Sequence, residues 1–170
     1  MALVARGFDT AVYSREAAPN PKADLVTAIG ARYFSAVETS LERLAAEVGN
    51  IDLVYEASGA SAASFALMEV LGTNGVFVFT GVPGRKAPIE LEADALMKRM
   101  VLHNQVVFGT VNADRGAFEA AIRHLAEFDR RWPKQVRALI TGRFPIEAHA
   151  SLLVGRAAGI KNVIALGSVR

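Results

Sequence analysis

The chain has 170 residues, of which 52% are hydrophobic and 21% charged, with a formal net charge of +2 and no cysteine. That length holds one domain with a buried core, and the apolar content suits a parallel sheet covered on both faces. The lack of cysteine excludes disulfides and thiolate zinc sites within these residues. The scattered lysines and arginines form no basic stripe for nucleic acid, and no apolar run approaches the roughly 18 residues needed to span a bilayer.

The opening MALVARGFDT lacks the basic, apolar and small-residue segments of a signal peptide, so a cytoplasmic protein without nucleic-acid or membrane partners is expected. Ala2 to Arg6 reads as part of a helix capped by Gly7, and Asp9 to Ser14 as a strand. Lys22 to Ile29 is predicted helical and ended by Gly30. Ala31 to Phe34 is short and extended. Ser40 to Val48 is amphipathic, with Leu41, Leu44, Ala45 and Val48 on one face. Ile51 to Ala57 is a strand, Ala62 to Leu71 a helix, and Gly75 to Thr80 a continuous apolar strand. Ala93 to His103 is a helix and Gln105 to Val111 a strand. Asp114 to Phe128 is a helix that places Phe118, Ala121, Ile122 and Leu125 at core spacing. Trp132 to Ile140 is helical, Phe144-Pro145 breaks the chain, Ala148 to Leu153 is a short helix, and Asn162 to Leu166 is the last strand. Strands alternating with helices of this length imply right-handed βαβ units and a parallel sheet. All 170 residues are expected to form one domain.

A doubly wound nucleotide-binding sheet begins with a strand, a glycine-rich turn and a helix. No G-x-G-x-x-G occurs near the start. The expected fold is therefore α/β: an incomplete doubly wound, Rossmann-type parallel sheet lacking the first strand and the glycine-rich phosphate loop. In the strand order 3-2-1-4-5-6 the first strand is central, so Asp9 to Ser14 and Ile51 to Ala57 should flank its place. Periodicity alone leaves open a complete, smaller α/β domain.

The run Met100 to Ala113 (MVLHNQVVFGTVNA) is similar to a segment of the glucose (aldose 1-) dehydrogenases within the zinc-dependent medium-chain dehydrogenase family. The resemblance continues in order through Val12 to Glu16 (VYSRE), Asp52 to Gly59 (DLVYEASG), Gly75 to Pro83 (GVFVFTGVP) and Thr141 to Ala148 (TGRFPIEA). It implies that residues 1–170 are one C-terminal, nucleotide-binding domain, with a closing module from about residue 140 to residue 170, the cofactor-binding part of an oxidoreductase that passes hydride from C1 of an aldose, glucose above all, to NADP or NAD. Zinc and the proton relay would belong to an N-terminal domain with no counterpart here. The resemblance also implies a small-molecule sugar substrate, a homo-oligomer (dimer or tetramer) in the full-length enzyme, and no turnover from these residues alone. Another medium-chain alcohol or polyol dehydrogenase stays open as an alternative, as does a non-catalytic nucleotide-binding or interaction domain.

Ser14, Arg15 and Glu16 follow the second strand of the parent fold, where the adenosine ribose sits. An arginine there accommodates the 2′-phosphate of NADP and a carboxylate bonds the 2′-OH of NAD. Ser14 and Arg15 are the candidate cofactor contacts, Glu16 keeps NAD possible, and a solvated loop arginine is the plain alternative. Thr80, Gly81 and Val82 end another strand, where open α/β sheets bind ligands; Gly81 also suits an ordinary turn. Thr110, Val111 and Asn112 end the next strand. The resemblance places them beside the nicotinamide, with Asn112 also reaching the sugar, although asparagine equally suits a turn or helix cap. His103 ends a helix, where its charge is favoured, or lies near substrate. His124 is expected to be solvated, and His149 has no assigned role. Ser58 and Ser61 flank Gly59 without a G-x-S-x-G elbow, which gives a serine hydrolase no support. No catalytic or metal-ligating residue is assigned.

Overall fold

The computed structural model describes residues 1–84, 88–155 and 158–166. The chain divides into two compact units, one of Met1–Tyr33 with Arg115–Arg170 and one of Phe34–Asp114.

The first unit opens with α1 (Ala2–Ala5), β1 (Ala11–Ser14) and α2 (Pro21–Ala28). Asn20 starts α2: its side-chain oxygen accepts from the N–H groups of Lys22 and Ala23, both at 2.9 Å, while Pro21 takes a first-turn position that needs no N–H. Gly30 (φ 88°) turns the chain into β2 (Arg32–Ser35), which pairs with β1. Two helices follow later in the chain, α6 (Arg115–Arg131) and α7 (Pro133–Leu139). Along α6 the rings of His124 and Phe128 stack at 5.9 Å, Phe128 meets Trp132 at 6.1 Å, and the Arg131 guanidinium covers the Trp132 ring. His124 is thus half-buried on a packed face rather than solvated. The periodic stripe expected in the core is the exposed one, with Phe118 64%, Ile122 68% and Leu125 54% accessible. Periodicity identifies an apolar face but not the surface that covers it.

The segment Thr141 to Pro145 also differs from expectation. Ile140–Pro145 is a strand, β6, in parallel register with β7 (Lys161–Ala165), from Ile140 opposite Lys161 to Pro145 opposite Ala165. Pro145 closes β6 and begins no break inside it, because a terminal strand position tolerates the missing N–H. A 3-10 turn (Ile146–Ala148) and α8 (His149–Val154) link the two strands. Thr141 pins the return: its hydroxyl oxygen accepts from Ile160 N–H at 2.9 Å and Lys161 N–H at 3.2 Å. Gly159 (φ 99°) sits against that hydroxyl, so a Cβ there would collide with Thr141. Of the closing module, residues 156–157 and 167–170 lie outside the described residues.

The second unit carries α3 (Leu41–Val48), β3 (Leu53–Glu56), α4 (Ser61–Met68), β4 (Val76–Phe79), α5 (Ala93–Leu102) and β5 (Val106–Gly109). The Ser40 hydroxyl caps α3, and Leu44 is buried, with Leu41, Ala45 and Val48 partly so, on the face that the sequence marks. The three strands form a parallel sheet in the order β3-β4-β5, with Leu53 opposite Val76 and Val76 opposite Val106. Alternation sends Val54, Phe77 and Val107 to one face, where Ile51, Met68 and Leu71 complete a buried cluster around the fully inaccessible Phe77. Phe79 packs on Phe77 at 4.7 Å and on Phe65 at 6.0 Å. On the opposite face Leu53, Tyr55, Val106 and Phe108 are exposed. Two amides tie the loops beneath this sheet. Asn50 accepts from Thr73 N–H at 2.9 Å and donates to Thr73 O, and Gln105 donates to Leu71 O at 2.7 Å.

Among the described residues no strand bonds both to the ladder β1-β2 and to the ladder β3-β4-β5. Within each ladder the neighbours are those of a doubly wound sheet whose central strand separates the two halves.

Phe77 is the test of the second unit's core. Phe77→Ala should lower unfolding free energy by roughly 3–5 kcal/mol, because a ring packed on all sides leaves a cavity. Denaturant titration measures this, and a loss under about 1 kcal/mol would show that the cluster is loosely packed.

Candidate cofactor site

Two adjacent parallel strands, β4 and β5, end at the same edge of the second unit, with Phe79 opposite Gly109. The candidates Thr80, Gly81 and Val82 follow the first strand, and Thr110, Val111 and Asn112 follow the second. Thr110 N–H donates to Phe79 O at 2.9 Å, which carries the ladder one step past the end of β5. Val111 and Val82 are 76% and 78% exposed, and Asn112 is exposed as well. The helix after Asn112 begins at Arg115, which puts Asp114 rather than Asn112 at the capping position. The Asn112 side chain makes no hydrogen bond among the described residues, so its amide is available to a ligand.

The edge is organised by a residue that the sequence reading passed over. Glu56 ends β3 and is only 6% exposed. Its main-chain carbonyl accepts from Thr80 N–H at 2.9 Å, Gly81 N–H at 3.1 Å and the Thr80 hydroxyl at 2.8 Å. The Thr80 hydroxyl proton is therefore spent inside the protein, and toward a ligand this oxygen acts only as an acceptor. The Glu56 carboxylate turns the other way along the chain. Oε1 accepts from Ser58 N–H and the Ser58 hydroxyl, both at 2.6 Å, and from Gly59 N–H at 2.9 Å. Oε2 is buried and makes no hydrogen bond among the described residues.

Burial by itself pushes the Glu56 carboxyl up. The Ser58 hydroxyl, the Ser58 and Gly59 N–H groups and the nearby Gly81 N–H dipole outweigh it, and the net direction is downward. A carboxyl lowered in the folded state stabilises the fold above its unfolded-state value and loses that contribution as pH falls through the folded one. This contribution is therefore in place at neutral pH.

The neighbouring backbones touch because two glycines allow it. Gly59 takes φ +63°, and a Cβ there would lie 2.6 Å from Val82 O. A Cβ on Gly81 would overlap Gly59 N and approach Glu56 Oε2 to 2.7 Å. A signal for Glu56 exists in the sequence: a lone carboxylate closing an apolar strand, followed at once by Ser58 and Gly59, whose N–H groups have no helix or sheet to enter.

The other candidates belong to the first unit. Ser14 ends β1, and Arg15 follows it exposed to solvent. Among the described residues Arg15 makes no hydrogen bond or ion pair. Glu16 differs, since its carboxylate holds Lys22 Nζ at 2.6 Å and its main-chain carbonyl accepts from the Tyr33 hydroxyl at 2.7 Å. A cavity of about 610 Å3 opens beside Glu16 and Lys22, walled by Leu25 and Ala28 of α2 and Lys134 and Ala138 of α7. Neither Ser14 nor Arg15 lines it.

The histidines take separate structural places. His103 caps the end of α5, and its carbonyl accepts from Asn74 N–H at 2.8 Å. His149 Nδ1 lies 2.9 Å from Ile146 O at the start of α8. Among the described residues no three of His, Asp and Glu gather closely enough to hold a metal ion, so none is assigned to zinc. No helix there is long and apolar enough to cross a membrane.

Comparison with known proteins agrees with this architecture. The glucose 1-dehydrogenase of Methanocella arvoryzae is 29% identical over 162 residues, covering 95% of this chain and 45% of that protein. The glucose 1-dehydrogenase of Thermoproteus tenax is 35% identical, covering 84% of this chain and 39% of the relative. The solved structure of Haloferax mediterranei glucose dehydrogenase in complex with NADP, zinc and gluconolactone is 26% identical. It superposes with a TM-score of 0.77 over 95% of this chain and 44% of that one. The chain thus spans less than half the length of the relatives it matches. A family model described as glucose dehydrogenase C-terminus matches residues 1–166, and on that match, which runs almost from end to end, the chain belongs to the glucose dehydrogenase C-terminus family.

Proposed function

We propose that residues 1–170 act as a single cofactor-binding domain of an NADP-dependent glucose dehydrogenase. In the reaction the C1–H bond of glucose breaks, hydride passes to C4 of the oxidised nicotinamide, and the C1 hydroxyl releases its proton, giving a lactone, reduced cofactor and H⁺. The observation that carries the reading is the family match along residues 1–166, supported by the 0.77 TM-score with a relative solved with NADP and gluconolactone. The exposed, backbone-organised edge formed by Thr80 to Val82 and Thr110 to Asn112 supports it independently, because open α/β sheets bind ligands beyond the carboxyl ends of their strands.

In this reading Thr80, Gly81 and Val82 present backbone and an acceptor oxygen to the cofactor. Thr110, Val111 and Asn112 border the nicotinamide, and the Asn112 amide also reaches the sugar. Ser14 and Arg15 hold the adenosine 2′-phosphate. Among the described residues the Ser14 hydroxyl and the Arg15 guanidinium have no partner, which fits a phosphate, and the engagement of Glu16 with Lys22 disfavours a ribose-diol contact by that carboxylate. Zinc, which polarises the sugar oxygen, is held by residues outside this chain. The enzyme works in the cytoplasm as a homo-oligomer, a dimer or tetramer; this part rests on the family resemblance and the absence of cysteine.

Four measurements test the reading. Purified chain 1–170 mixed with glucose and NADP should give no reduced cofactor above a no-enzyme control; measurable turnover would place the acid–base and metal chemistry inside these residues. In the enzyme that carries this chain, Arg15→Ala should weaken NADP binding by roughly 1.5–3 kcal/mol, the worth of a charge-assisted bond, and NAD binding far less. Equal loss for both cofactors would mean that Arg15 touches no phosphate. Asn112→Ala should lower turnover or sugar affinity while leaving the melting temperature nearly intact. A lower melting temperature with unchanged kinetics would return Asn112 to a structural role. A panel of aldoses, polyols and simple alcohols on the same enzyme distinguishes glucose from another medium-chain substrate.

A further inference from the structure

The Glu56 carboxylate is unusual in what surrounds it. It is buried at the end of an apolar strand, and no lysine or arginine pairs with it among the described residues. Among the described residues its Oε1 is met by donors of the Ser58–Gly59 turn, with the Gly81 N–H dipole nearby, while Oε2 is buried against Gly81 without a hydrogen bond. Burying an ion without a counter-ion is costly. A neutral side chain, an amide for example, can accept the same N–H bonds to tie a turn. The tie alone therefore does not require the charge.

What the charge adds is a fixed negative field directly behind Gly59, Gly81 and Val82. The oxidised nicotinamide ring carries a positive charge and the reduced ring carries none. We infer that Glu56 is a positioning residue that locks the backbone edge at Gly59 and Gly81 and, through a buried negative charge that no cation pairs among the described residues, favours the oxidised cofactor over the reduced one at that edge. This rests on the reading that Thr80 to Val82 meets the cofactor. Within it, Glu56 touches neither cofactor nor sugar and acts through the turn and the field. Such a bias tightens the oxidised form and eases release of the reduced form, because the attraction disappears when hydride arrives.

Direct binding of NADP and of NADPH to the intact enzyme, for wild type, Glu56→Gln and Glu56→Ala, tests the inference. Glu56→Gln keeps an oxygen for the Ser58 and Gly59 donors and removes the charge. It should weaken the oxidised cofactor by about three- to tenfold, as expected for one charge acting through a partly screened interior, and leave the reduced cofactor within about twofold. Glu56→Ala removes the tie as well, so both forms should weaken and the Ser58 and Gly59 amides should lose protection from hydrogen exchange. Equal weakening of both forms in Glu56→Gln, or no change in either, overturns the inference. If the alanine variant fails to fold, the glutamine variant alone decides. Hydrogen exchange of wild-type Gly81 and Val82 with and without NADP is the separate control. Absence of protection there refutes the cofactor edge itself, whereas protection with an unselective Glu56→Gln refutes only the role of the charge.

Discussion

A parallel strand runs out of ladder partners at its carboxyl end, and the N–H groups of the segment that follows must find acceptors elsewhere. In the second unit of this chain one residue meets that need in two directions. The carbonyl of Glu56 takes the N–H groups of Thr80 and Gly81 and the Thr80 hydroxyl, and its carboxylate takes the turn at Ser58 and Gly59. The edge on which the cofactor reading depends is therefore main chain held by the carbonyl and the carboxylate of one residue. At its rim Asn112 and Val111 are exposed.

That rigidity has to be anchored, and the anchor is the apolar layer below. Phe77 is fully inaccessible and lies two residues before Phe79, whose carbonyl carries Thr110. Phe65 and Phe77 fix the Phe79 ring, and Asn50 and Gln105 hold the loops at the other end of the strands. Displacing a buried ring would thus be felt at the cofactor edge through a short, covalently continuous path. Core and site are one mechanical piece here because β4 belongs to both.

The strands and helices of the two units follow from sequence wherever the signal is local. Gly30 ends a helix, and the apolar face of Leu41 to Val48 is the buried one. Where partners are distant in sequence, local reading fails for a physical reason. Thr141 to Pro145 contains a glycine, an arginine and a proline, and becomes a strand only because β7 arrives to pair with it. In the helix of residues 115–131 the apolar period is plain, yet the rings of His124, Phe128 and Trp132 supply the packed face and Phe118, Ile122 and Leu125 stay accessible. The candidate edge was legible in sequence only as strand ends, at Thr80 and Thr110. It was not legible where it depends on a side chain bonding across a turn, as at Glu56, because no periodic pattern records such a contact.

Arg15 stands apart from all of this. Its guanidinium has no partner among the described residues and lies in solvent, so the folded state gains nothing from it. Substitutions at such positions leave stability nearly untouched. Whatever Arg15 recognises can therefore be exchanged by single mutations that the fold does not resist, whereas Gly59, Gly81 and Glu56 constrain one another and must change together or not at all. A change at Arg15 is therefore far less constrained by folding than a change at the glycine pair. Lineages sharing the scaffold would be free to diverge at that one exposed position while keeping the glycine pair fixed.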